Sequence, residues 1–203
     1  MHTNTILNLI SQISKDEEIL WAGAPHKDAL ILESIFNKTL IPAGIWTFMD
    51  YAFFISVIES NPHILILTTT VILLIIHMLP VLIYIAGTII TGLSYQNTCY
   101  VITNKAIYIS TGVFKTIFES RPHTEIKKVT IKKSFFDIFY NIGDITITYN
   151  RKGFYTLTRN GIPIHNIPEY NKVYNLLLEL KAKAREEIKR QKREEKQKRK
   201  AEN

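Results

Sequence analysis

No Asp, Glu, Lys or Arg occurs between Glu59 and Lys105, and no other feature limits the possible folds of this chain so much. The run ILILTTTVILLIIHMLPVLIYIAGTIITGL within that stretch is too long and too uniformly apolar for the buried helix of a soluble domain. About 20 apolar residues, rising about 1.5 Å each, cross the hydrocarbon core of a bilayer. The region from about Thr39 to Tyr95 therefore predicts a two-span transmembrane helical hairpin (39–95). It divides the rest into an N-terminal cytoplasmic segment (1–38), a soluble domain (96–180) and a basic helical tail (181–203).

The first span runs roughly from Leu40 to Ile58, with Pro42 in its first turn, where a missing N–H costs nothing. Glu59, Ser60, Asn61, Pro62 and His63 form the turn. The second run, Ile64 to Tyr95, would be about 48 Å long as one helix, against a core of about 30 Å. Cutting it at Pro80 would leave halves of about 15 residues, each too short to cross. One long helix is expected, kinked near Pro80 and protruding on the side of the C-terminal domain. The turn carries no Lys or Arg, whereas Lys27, Lys38, Lys105 and Lys115 flank the other side. This bias predicts a multi-pass protein of the inner (plasma) membrane with both termini cytoplasmic. The start MHTNTILNLISQISKDEE shows no signal-peptide pattern, so the first span is expected to act as its own insertion signal. Cys99 is the single cysteine, which forbids an intramolecular disulfide and agrees with a reducing compartment.

Asp50 lies near the centre of the first span, where an acid costs about 2.5 to 3.5 kcal/mol on insertion scales. It must face another helix or water. One reading is an ion or proton site. The other is a carboxyl that is protonated, or bonded to a neighbour such as His77 or a Thr of the second span, and with two spans and no second buried acid this reading is the stronger.

The formal net charge of +7 is unevenly placed. Lys181 to Asn203 holds eleven Lys/Arg against five Glu, so that segment supplies +6 and the rest of the chain +1. Near an anionic leaflet each basic residue contributes at most about 1 kcal/mol, so the tail could be held on a membrane surface. The pairs Glu179/Lys183, Glu186/Arg190, Glu194/Lys198 and Glu195/Arg199 keep the spacing of a solvated helix. Upstream, Val173, Leu176, Leu177 and Leu180 form an apolar stripe that must bury, with Pro168 expected in the first turn of the same helix.

Ahead of the hairpin, Ile6, Leu9, Ile10 and Ile13 suggest a short amphipathic helix, unless this terminus is frayed. Ile19, Leu20 and Trp21 form a short extended run that Gly23 and Pro25 break. Trp21 suits either a membrane interface or a core. After the hairpin, short alternating runs replace the unbroken apolar pattern. Strands are expected at 100–102, 107–109, 113–118, 126–131, 145–149, 154–157 and 162–164. Turn chemistry separates them at 103–105, 110–112, 150–153 and Asn160-Gly161, the last a strong hairpin signal. Ser134-Phe135-Phe136-Asp137 starts a short helix with a capping box, ending near Gly143. Seven short strands with one helical insertion suggest a small antiparallel barrel or sandwich.

The segment CYVITNKAIYISTGVF directly after the hairpin, followed by IKKVTIKKSFFDIFYNIGDITI, resembles the bacterial pleckstrin-homology (PH)-like domain family in its membrane-anchored form. Tyr100, Thr103, Gly112, Val129, Ser134, Gly143, Ile145 and Ile147 carry the resemblance, and Trp21, Gly23 and Pro25 are similar to a family signature preceding the first span. It covers about Glu17 to Leu180. It implies a membrane α-helical hairpin plus an α+β/all-β soluble domain, a PH-like seven-stranded antiparallel barrel or sandwich capped by a C-terminal helix. Where the family usually has an arginine after the first turn, this chain has Ala106 with Lys105 beside it, so any ligand or interdomain role of that arginine is not carried over.

His2, His26, His63, His77, His123 and His165 show no metal-ligand spacing among themselves or with Cys99. There is no Gly-rich phosphate loop, nucleophile elbow or recognisable carboxylate pair. Neither catalysis nor a cofactor is expected. The preferred function is a membrane-tethered adaptor or assembly module that binds a protein partner or further copies of itself. The alternatives are a subunit of a transport or export system, with Asp50 and His77 as intramembrane polar contacts, and an anionic-lipid-sensing module. The last would use Lys115, Arg121, Lys127, Lys128, Lys132 and Lys133, which otherwise are ordinary solvated strand faces balanced by Glu119, Glu125 and Asp137. Nucleic acid lacks the aromatic interleaving and recognition fold that would support it as a partner.

Overall fold

A computed structural model of the chain describes residues 2–149 and 162–201. It divides into two compact units, Met1–Leu30 with Ser94–Asn203, and Ile31–Leu93. The first unit holds seven strands among the described residues. Strands β1 (Ile19–Gly23), β2 (Cys99–Thr103), β3 (Ala106–Thr111) and β4 (Ile117–Pro122) form one antiparallel sheet in that order. Strands β5 (Ile126–Lys132), β6 (Ile142–Tyr149) and β7 (Ile162–Pro168) form the second. The strand expected at 154–157 and the turns expected at 150–153 and 160–161 lie outside the described residues.

The short run Ile19-Leu20-Trp21 is the first strand of the sheet. Gly23 pairs with Tyr100 and Trp21 with Ile102, so β1 lies against β2 although residues 24–98 separate them in the chain. Residues up to Leu30 accordingly belong with the domain, whose expected start was residue 96. The long connection leaves and re-enters the sheet at one end, because the end of β1 lies beside the start of β2.

All five residues of β2 are buried, and period-two alternation explains how. Tyr100 and Ile102 point into the main core with Ile107, Ile126, Ile145, Ile147, Ile164 and Ile167. Cys99 and Val101 point the other way, under helix α1 (His2–Ile10), where Leu9 is buried and Ile6, Ile10 and Ile13 pack around it. Burial pushes the Cys99 thiol up to about 11, which keeps it protonated and unreactive at neutral pH.

The C-terminal helix α7 (Tyr170–Ala201) closes the main core with Tyr170, Val173, Leu177 and Leu180. Pro168 is the last residue of β7 and not part of the helix; Glu169, at φ +58°, makes the corner between them. The buried stripe continues one turn past Leu180 to Ala184, and the residues from 191 to 200 are all exposed. Glu179 pairs with Lys183 as its spacing predicts, whereas Arg190 pairs forward with Glu194 rather than back to Glu186.

In the second unit, α3 spans Leu40–Glu59. Asn61, at φ +50°, turns the chain, and His63 Nδ1 accepts from the Leu65 N–H at the start of α4 (Ile64–His77). The second apolar run is two helices, α4 and α5 (Leu79–Ser94), broken at Met78. Pro80 has no N–H for the Ile76 carbonyl, and the Val81 and Leu82 N–H groups both turn to Met78 O. The C-terminal end of helix α2 (Lys27–Ile35) is tied to α5, with Tyr84 Oη donating to Ile35 O (2.6 Å) and Thr88 Oγ1 to Ser34 O (3.2 Å). Two stretches, Leu40–Glu59 and Leu79–Asn97, are long and apolar enough to cross a membrane, with mean hydropathy of 1.5 and 1.4.

Candidate functional site

Helix α3 brings Trp46 and Asp50, one turn apart, against the last residue of α4. His77 Nδ1 lies 2.6 Å from Asp50 Oδ1. Trp46 Nε1 donates to His77 O (2.8 Å), and the two rings stack at 4.7 Å between centroids with 24° between planes. The helix break makes this contact available. Because Val81 bonds Met78 O, the His77 carbonyl is open to a donor from α3. Asp50 is 7% exposed, and its second oxygen, Oδ2, has no hydrogen-bond partner among the described residues. Asp50 and His77, expected as intramembrane polar residues, are therefore joined, and their hydrogen bond needs one proton between carboxylate and imidazole. Thr70, two turns before His77, is also buried. The arrangement clips two helices together, with Asp50 Oδ2 unpartnered among the described residues.

The basic residues are not gathered into one patch. Lys115 lies exposed between β3 and β4, and Arg121 on β4 sits 4.0 Å from Glu119. Lys127 and Lys128 are exposed at the start of β5, where a bulge shifts the register. Lys132 is at its far end, about 13 Å on at strand rise. Lys133 follows, with its Nζ 4.3 Å from the centre of the Tyr170 ring. The same ring packs against Gly143, where an added Cβ would lie 2.9 Å from Tyr170 Cγ.

Two groups of residues were not singled out as sites by the sequence. Glu17, just before β1, accepts from Thr103 Oγ1 (2.6 Å) and from Tyr108 Oη (3.0 Å), joining the N-terminal segment to the β2–β3 hairpin. Thr103 Oγ1 also accepts from the N–H of Ala106, which is buried. Below it, His123 is 3% exposed, with Nε2 2.8 Å from Thr103 O and Nδ1 without a partner among the described residues. Burial holds the His123 imidazole below its ordinary value, opposed by the Thr103 carbonyl and Glu17. A Glu–Thr–Tyr set drawn from positions 86 and 91 residues apart has no local signal in the sequence. The other group is helix α6 (Phe135–Tyr140), whose capping box forms as expected but which ends on Asn141, at φ +50°, while Gly143 lies inside β6. Phe135, Ile138 and Phe139 on it face outwards.

Among the described residues no group of three or more His, Cys, Asp or Glu is placed to hold a metal ion. No curated protein and no solved structure matches the chain. A family model described as Bacterial PH domain matches residues 40–181, from the start of α3 to the charged part of α7. Two antiparallel sheets closed by a C-terminal helix agree with that match, and the chain belongs to the bacterial PH domain family.

Proposed function

We propose that this chain is an integral membrane protein that displays a PH-like binding domain on the cytoplasmic face as an adaptor or assembly module, without catalysis. Connectivity carries the reading. Residues 24–98 leave and return at one end of the β1–β2 pair, so both flanks of the hairpin lie on one side of a bilayer and the number of crossings is even. Helix α3 supplies one crossing. Helix α4 alone, about 21 Å long, cannot span a core of about 30 Å, so the α4–α5 stretch supplies the other. Only 11% of the first candidate span and none of the second is buried. A soluble fold leaves no such extent of apolar helix in water.

Strand β4 supports the adaptor reading. It is exposed along nearly its whole length, and among the described residues it pairs only with β3, leaving an edge that an extended peptide can join. Crosslinking with mass spectrometry on the full chain in its native membrane tests this, with a parallel sample lacking the tail from Arg185. A discrete protein crosslinked at Ile117–Pro122 in both samples is expected. Recovery of lipid alone, or of further copies alone, would replace the adaptor with a lipid-binding or self-assembling module.

The Asp50–His77 pair favours a second reading, a subunit of a transport or export system. Asp50→Asn keeps an acceptor for His77, so an adaptor is expected to retain its partners with this change. Loss of a proton- or ion-dependent activity on the same change would instead establish transport.

A further inference from the structure

Helix α6 is amphipathic in the reverse sense of a helix packed on a core. Phe135, Ile138 and Phe139, at positions i, i+3 and i+4, form one face and are 68%, 69% and 73% exposed, while Asp137 on the opposite face is 1% exposed. The burial of that acid is built in. Asp137 Oδ2 accepts from the Ser134 N–H at 2.6 Å, and Ser134 Oγ accepts from the Asp137 N–H, so the capping box fixes which face points inward. The outward rings brace each other, Phe135 meeting Phe139 edge-on at 5.0 Å between centroids. Lys132 and Lys133 precede the helix, and Asp137 is the only acid between Lys127 and Asn141. Lys132 is exposed at the end of β5 just before the apolar face, no exposed acid lies between it and Asn141, and Asp144, opposite Lys132 in the ladder, is bonded to His165 and to the Asn166 N–H.

We infer that α6 is an interfacial foot, which sets Phe135, Ile138 and Phe139 into the headgroup region of an anionic bilayer with the exposed Lys132 beside the lipid phosphates. Size and charge decide the occupant. The three side chains expose roughly 400 Å², about half of the 800 Å² that each partner contributes to a standard protein interface, so a second copy seated here alone would not hold. A bilayer needs no such area. A few aromatic and aliphatic side chains entering the headgroup boundary, with lysines beside them, are the usual form of an interfacial anchor. This site is separate from the hairpin and from the β4 edge, and it rests on the proposal that the chain lives at a membrane.

The test uses the full chain in nanodiscs of mixed phosphatidylglycerol and phosphatidylcholine, with a polarity-sensitive fluorophore on Phe139→Cys and, in separate samples, on Phe135→Cys and Leu73→Cys. Cys99 is buried and stays unlabelled. Labels on α6 are expected to shift to the blue and to lose emission to quenchers at headgroup depth, with both effects weakened in pure phosphatidylcholine. Label at Leu73 lost to mid-chain quenchers, while both α6 labels report water, overturns the foot and leaves the membrane reading standing. If none of the three responds to lipid, both fall. Blue-shifted α6 labels that lipid cannot quench, and that crosslink between copies, would assign the face to self-association and also overturn the proposal.

Discussion

His123 shows how one buried side chain ties stability to pH. Its ring is enclosed and its Nδ1 has no acceptor among the described residues, so the folded domain disfavours the imidazolium and the unfolded chain binds the proton more readily. Unfolding therefore takes up a proton, and stability falls as pH is lowered through about 6.5, the ordinary value for histidine. His123→Gln retains a donor for Thr103 O and is expected to flatten that dependence by up to about 1.4 kcal/mol per pH unit. Denaturant unfolding of wild type and variant at several pH values between neutrality and mild acid reads the difference; parallel curves would contradict it. Gly143 acts by space rather than charge. The Tyr170 ring occupies the place of a Cβ, so Gly143→Ala must displace a buried ring and is expected to cost roughly 1 to 3 kcal/mol, read as a fall in the unfolding midpoint. The polar contact within the apolar hairpin was legible at this scale, because an acid there has to find a partner and His77 was among the few side chains able to serve.

At the scale of elements, α1 matters more than its position at the terminus suggests. Its stripe covers the outer face of β2, so Leu9→Ala leaves a cavity over Cys99 and Val101. A cost of about 2 to 4 kcal/mol is expected from thermal or denaturant unfolding; an unchanged midpoint would mean that β2 does not need this cover. The stripe itself was legible from its spacing, but what it covers was not. Strands β2, β3, β5 and β6 were legible because Asn, Gly and Ser turns separate runs of β-branched residues. Strand β4 begins at Ile117 rather than Val113, since the turn at Gly112, held at φ +132°, extends to Thr116. The pairing of β1 was hidden for another reason: its partner lies beyond the apolar region, and periodicity reports only local order. Pro168 was misplaced because a proline suits the end of an edge strand as well as a first helical turn. The outward face of α6 could not be read either, since i, i+3, i+4 spacing marks a face without saying which way it points.

At the scale of the whole molecule, a PH-like sheet is opened between its first two strands and a hairpin of apolar helices is inserted there. Under the proposed membrane insertion, this connectivity puts β1 and β2 on the same side of the bilayer, whatever the domain binds. Helix α7 extends about 48 Å at helical rise, and beyond Ala184 it is a solvated, net-positive rod whose packing role has ended. The central claim is that the hairpin crosses twice with both flanks on the cytoplasmic face. Cysteines placed singly at Asn61 in the turn, Lys15 before β1 and Lys189 in the tail, probed in intact cells with a thiol reagent that cannot cross the membrane, test it most directly. The account predicts labelling at position 61 from outside, and labelling at 15 and 189 only after the membrane is opened. Positions 15 and 189 reporting opposite sides would require an odd number of crossings and would contradict the account, because β1 and β2 could then not share a sheet.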